Sequence, residues 1–149
     1  MKLSELQSRA GSFTLGEKMA LRERVAFQKT IYLLQELGAL ERKYRFSWYI
    51  FGPYSPELAK TGFDFIEGGK DADMPISQEF DAALLEFKKM TEHAPCRPDL
   101  WLELLACLVY KKRHNVNKEE AFASLKEHQS YFNDDLLEKG WKVVSRFFP

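Results

Sequence analysis

Cysteine is scarce in this 149-residue chain: Cys96 and Cys107 are the only two, too few for the disulfide framework of a small secreted domain. Charge of one sign is lacking as well. Lysine plus arginine is 22 and aspartate plus glutamate is 22, so the formal net charge is +0. That balance excludes a polybasic coat and leaves any nucleic-acid contact to a local patch. No apolar run reaches the roughly 18 residues that a membrane-spanning helix needs. The opening Met1-Lys2-Leu3-Ser4-Glu5 has no signal-peptide apolar region, so the expectation is a cytoplasmic protein with no membrane partner. Solenoid repeats and low-complexity tracts are missing too, and residues 1–149 read as a single domain. What is present is 45% hydrophobic and 30% charged residues, enough for a packed core beneath a solvated surface.

Residues 14–37 carry the first strong helical signal. Thr14-Leu15-Gly16-Glu17 has the form of a capping box, Phe27, Ile31, Leu34 and Leu37 recur at helical spacing, and Gly38 is a left-handed stop. The period changes over residues 44–51, where Tyr44, Phe46, Trp48 and Ile50 fall on one side of an extended chain and Arg45 and Ser47 on the other. This predicts a short strand, ended by Gly52-Pro53, whose backbone needs a partner. Residues 39–42, residues 74–76 and another chain are the candidates.

Ser55-Pro56-Glu57 opens a helix over residues 56–67: serine caps, proline presets φ and glutamate complements the dipole. Ser77 is expected to cap the next, whose Phe80, Leu84, Phe87 and Met90 share a face. Residues 94–98 form a linker. Beyond it residues 100–110 are apolar nearly all round, with Glu103 the only charge, which places that helix at the centre of the fold, and Lys111-Lys112-Arg113-His114 suits its C-terminal end. Asn117-Lys118-Glu119-Glu120 caps a further helix with Phe122 and Leu125 inward, and Leu137, Trp141, Val144 and Phe148 mark a terminal one. The fold class is mainly α: a single-domain bundle of about five or six helices with a short β element around residues 44–51.

Chemistry-bearing clusters are few. His93, Cys96, Cys107 and His114 have the atom types for tetrahedral zinc. Cys107, however, lies inside the apolar run, and His114 lies about two helical turns, ~10 Å, beyond it, so no metal is expected. A Cys96–His93 nucleophilic pair has only Arg97 as a hint of an electropositive setting. No nucleophile elbow, phosphate-cradling glycine loop or His-Glu-x-x-His stretch occurs, and Glu119-Glu120 and Asp134-Asp135 sit where helix N-termini favour negative charge. The expectation is no enzyme, no catalytic residue and no cofactor.

The aromatic segment over residues 44–54 admits three readings. It is core, or a protein-binding strand edge, or a stacking platform of Tyr49, Phe51 and Tyr54 with Lys43 and Arg45 near phosphates, diluted by Glu41 and Glu57. The basic runs 22–24 and 111–113 read as solvated faces or dipole partners, with phosphate contact as the alternative.

Three stretches carry a family resemblance. Residues 24–35, with Gln28-Lys29 followed by Tyr32, resemble the opening helix of the SocA-like Panacea domains and of the uncharacterised YwgA-type bacterial and archaeal proteins. Residues 46–58, an aromatic strand running into Gly52-Pro53-Tyr54-Ser55, resemble their most diagnostic segment, and residues 102–110 their later buried helix, with Cys107 where a serine is expected. The resemblance implies a helical domain found in antitoxins, acting by binding a protein partner such as a toxin, with no catalytic set to transfer. Gln28, Lys29, Tyr32, Gly52, Pro53, Tyr54 and Ser55 are its marking positions.

Gln28, Lys29 and Tyr32 are polar neighbours on one patch of an otherwise apolar helix. Docking of the Gly-Pro-Tyr-Ser turn there would let Lys29 or Gln28 bond its carbonyls and present Tyr54. The leading expectation is a protein-interaction domain, antitoxin-like or regulatory, working through this turn and the adjacent helix. The rival is a nucleic-acid-binding regulator of winged-helix character using the helix after Pro56 with Lys43 and Arg45.

Overall fold

The computed structural model describes residues 1–16 and 20–149. Among them are seven helices and one two-stranded antiparallel sheet, packed as one domain. The helix additional to the expected set is α1 (Leu3–Ala10), whose Leu3 and Leu6 are fully buried. Residues 72–74 stitch it down: Leu3 N–H donates to Ala72 O at 2.9 Å and Met74 N–H to Met1 O at 2.8 Å.

Helix α2 (Leu21–Glu36) begins later than the expected Thr14. Thr14 N–H donates to Glu23 Oε2 at 2.5 Å and Leu15 N–H to Gln7 Oε1 at 2.7 Å, so side chains from α2 and α1 satisfy this stretch before any helical turn forms. Glu17, the other half of the expected capping box, lies outside the described residues. The stop is as expected: Gly38 takes φ +95° and Ala39 N–H reaches back to Leu34 O at 2.9 Å.

The strand's partner is none of the three candidates. Strand β1 (Ser47–Tyr49) pairs with β2 (Gly52–Tyr54), in register Ser47 to Tyr54, Trp48 to Pro53 and Tyr49 to Gly52. The residues expected to terminate the strand are its partner, and Ile50-Phe51 makes the turn. Proline is tolerated because an edge strand of so short a hairpin does not need its missing N–H. Residues 39–42 and 74–76 meet each other: Leu40 bridges Ile76, and Glu41 N–H donates to Pro75 O at 2.8 Å. The alternation of residues 44–51 holds for buried Tyr44 and half-buried Phe46 and Trp48 but fails at Ile50, which the turn carries outward to 63% exposure.

Ser55 caps α3 (Pro56–Gly68) by accepting from Leu58 N–H at 3.2 Å. Ser77 does not cap α4 (Phe80–Thr91) directly; its hydroxyl accepts from Glu79 N–H and donates to Gly38 O at 2.6 Å, tying the approach to α4 to the end of α2. Helix α5 (Pro98–Arg113) is the central element, buried from Trp101 through Val109 and packed on α2, α4, β2 and the terminal helix. Asn117 and Asn133 cap α6 (Lys118–His128) and α7 (Asp134–Phe147). No helix among the described residues is long and apolar enough to cross a membrane.

Candidate functional site

The hairpin is too small to hold itself, and α2 holds it. Gln28 grips both backbone groups of Ser55: its Nε2 donates to Ser55 O and its Oε1 accepts from Ser55 N–H, both at 2.9 Å. Two helical turns on, Gln35 does the same to Tyr44, donating to its carbonyl at 3.1 Å and accepting from its N–H at 2.7 Å. A primary amide presents one donor and one acceptor on adjacent atoms, so each glutamine stands in for a stretch of neighbouring strand. Between the clamps, Lys29 Nζ donates to Pro53 O at 2.6 Å. The Gly-Pro-Tyr-Ser turn therefore does dock on Gln28 and Lys29.

Gly52 is fixed by two demands. Its φ is +95°, and a Cβ there would collide with Cys107 Sγ. That thiol donates to Phe51 O at 3.7 Å and accepts from Gln129 Nε2 at 3.3 Å. Glu103, one turn earlier on α5, accepts from Gln129 at 3.2 Å and from the Tyr131 hydroxyl. Lys29, Glu103, Cys107 and Gln129 thus form a buried polar cluster beneath the hairpin, with the half-exposed Tyr131 closing it from outside. Desolvation governs it: burial pulls Lys29 down to about 8, against the raising pull of Cys107 and Glu103, and pushes the Cys107 thiol up to about 12. Glu103 is raised above the usual carboxylate range by burial, although its hydrogen bonds and Lys29 oppose the rise.

Beside the hairpin lies an apolar groove of about 490 Å³ between α2, the hairpin and α3. Phe27, Ile66 and Leu15 line its floor, and Leu21, Tyr49, Ile50 and Phe63, each at least half exposed, stand around it. Tyr49 and Tyr54 pack ring to ring at 5.3 Å on one side.

Six of the seven marking residues are buried: Gln28, Lys29, Tyr32, Gly52, Pro53 and Ser55 lie inside, and only Tyr54 reaches the surface. Tyr32 does not join Gln28 and Lys29 at the turn. Its ring meets Phe46 edge-on at 5.0 Å and lies 6.2 Å from Tyr110. Lys43 and Arg45 are exposed on the segment entering β1 and do not line the groove.

Leu21 and Phe63 belong to the groove but had no place in the sequence-based site. For Phe63 the signal was an excess: α3 carries Leu58, Phe63, Phe65 and Ile66, more apolar surface than one core-facing stripe requires. His93, Cys96, Cys107 and His114 are not assembled. Cys107 is in the core, His114 stacks on Tyr110 at 4.0 Å, and no group of three metal-ligating side chains occurs among the described residues. Burial and Asp99 push the Cys96 thiol up, and Arg97, its expected activator, is paired with Asp99 at 2.5 Å.

Fold and site together define a helical domain with a buttressed hairpin beside an open apolar groove. Comparison with protein-family models, curated proteins and solved structures gives no match.

Proposed function

We propose that this chain is a non-catalytic protein-interaction domain, antitoxin-like in the sense its resemblance to the Panacea domains implies, and that it seats an apolar segment of a protein partner in the α2–hairpin–α3 groove. The observation that carries this reading is the ring of Leu21, Tyr49, Ile50 and Phe63 standing exposed around one concavity. Isolated surface hydrophobics are ordinary; four converging on a groove with apolar walls mark a binding surface. The clamps support it from behind, because a hairpin fixed at both ends loses little freedom when a partner docks. The buried marking residues at the turn act from inside, setting the position of Tyr49, Ile50 and the one marking residue at the surface, Tyr54.

The test is co-purification from the native host with the wild-type chain and with Ile50→Asp and Phe63→Asp. Wild type retains a stoichiometric protein partner through rising salt, while both variants lose it with an unchanged melting temperature. Equal partner recovery with the Ile50→Asp chain would sink the reading.

A further inference from the structure

A second surface, sharing no residue with the groove, is built on α7. Lys139, Lys142 and Arg146 are exposed on α7 at spacings i, i+3 and i+7, which put them along one helical face. Lys118 from the start of α6 and Lys112 from the end of α5 flank them, around a shallow depression of about 520 Å³ that includes Trp141 and Ser145. Two carboxylates answer this group: Glu138 pairs with Lys118 and Asp135 with Lys139, each at 2.9 Å. Lys112, Lys142 and Arg146 have no carboxylate partner among the described residues; Lys112 instead lies 3.4 Å from Ser145 Oγ and over the Trp141 ring. In a chain of net charge +0, this is a local excess of cation.

We propose that this face of α7, with the adjoining ends of α5 and α6, binds the phosphate backbone of double-stranded nucleic acid. From Lys139 to Arg146 the helix rises ~10 Å, a length that spans about three phosphates of one strand. The neighbouring aromatic argues for a duplex over a single strand. Trp141 is covered by Lys112 at 4.7 Å and meets Phe122 edge-on at 6.0 Å, while Lys118 and Arg146 lie over the Phe122 and Phe147 rings, so the aromatics of this face already carry cations and offer no open stacking platform. A lipid surface fits less well, because no large exposed hydrophobic lies on this face to enter a bilayer. Contacts of this kind read backbone and not sequence.

The test is fluorescence anisotropy of the full chain with a short labelled duplex of arbitrary sequence, over a series of salt concentrations. Wild type binds at low salt with a log–log salt slope of about −3, since each neutralised phosphate contributes about 0.9. The double variant Lys142→Glu/Arg146→Glu binds at least about tenfold more weakly, with a slope near −1. Lys142→Gln/Arg146→Gln flattens the slope in the same way should charge reversal disturb folding. Lys70→Glu/Lys88→Glu, an equal change of net charge away from the patch, binds like wild type. Absence of duplex binding at low salt overturns the proposal. So does an equal loss in the Lys70/Lys88 pair, or binding of polyglutamate or anionic vesicles as tight as that of duplex.

Discussion

Lys29 concentrates the energetic tension of the site in one side chain. It is 2% exposed, its ammonium has a single close acceptor in Pro53 O, and burial draws its pKa down to about 8. The unfolded chain holds this proton up to its ordinary value near 10.5, so between about pH 8 and 10.5 the unfolded state binds more protons than the folded one. The contribution of Lys29 to stability therefore rises with pH across that window and is level below about pH 8, where both states hold the proton. The full effect is roughly 3 kcal/mol for a shift of this size. Urea midpoints of wild type and Lys29→Met at neutral and alkaline pH measure it: wild type gains on Lys29→Met as pH rises, and parallel curves would show that Lys29 titrates normally. The polar patch of Gln28 and Lys29 on an otherwise apolar helix was legible in the sequence as a seat for the turn's carbonyls. The path of Tyr32 away from the turn was not, because it depends on where Phe46 packs.

Among elements, the hairpin and α2 form one unit. Gln28→Ala strands a buried N–H and C=O of Ser55, and each orphaned group costs about 1–3 kcal/mol. The expected outcome is a lower urea midpoint with faster amide hydrogen exchange concentrated at residues 47–55; exchange spread evenly along the chain would mean that the clamp is not what holds the hairpin. Where the chemistry is local, the sequence states the element plainly: Ser55-Pro56, Gly38, Asn117 and the four positions of α4 expected to face inward all behave as their residue types dictate. It misleads where a distant group takes over. Glu23 occupies the Thr14 N–H, Gly38 O claims the Ser77 hydroxyl, and Gln35 holds Tyr44, each across a separation no local pattern encodes. Gly52-Pro53 reads as a terminator for the same reason, since its pairing depends on Lys29 and Cys107 being beneath it.

At the scale of the molecule, α5 is the axis on which everything else is built, as its apolar circumference implies. Leu105, fully buried at its middle, is shared by the single core. Leu105→Ala is expected to cost about 2–5 kcal/mol, with circular dichroism and tryptophan fluorescence still melting together. Separated transitions would reveal two cooperative units. The overall class followed from such periodicities; the groove did not, because Leu21, Ile50 and Phe63 are far apart in sequence and meet only once α2, the turn and α3 are assembled.

The division of labour at the hairpin has a consequence for how such a domain diversifies. The groups that seat the turn are sealed inside, while the ring that would touch a partner is made of other residues at the surface. Leu21, Ile50 and Phe63 take no part in the bonds that seat the turn, so on the proposed reading their exchange would alter what the groove accepts while the frame beneath it stays unaltered.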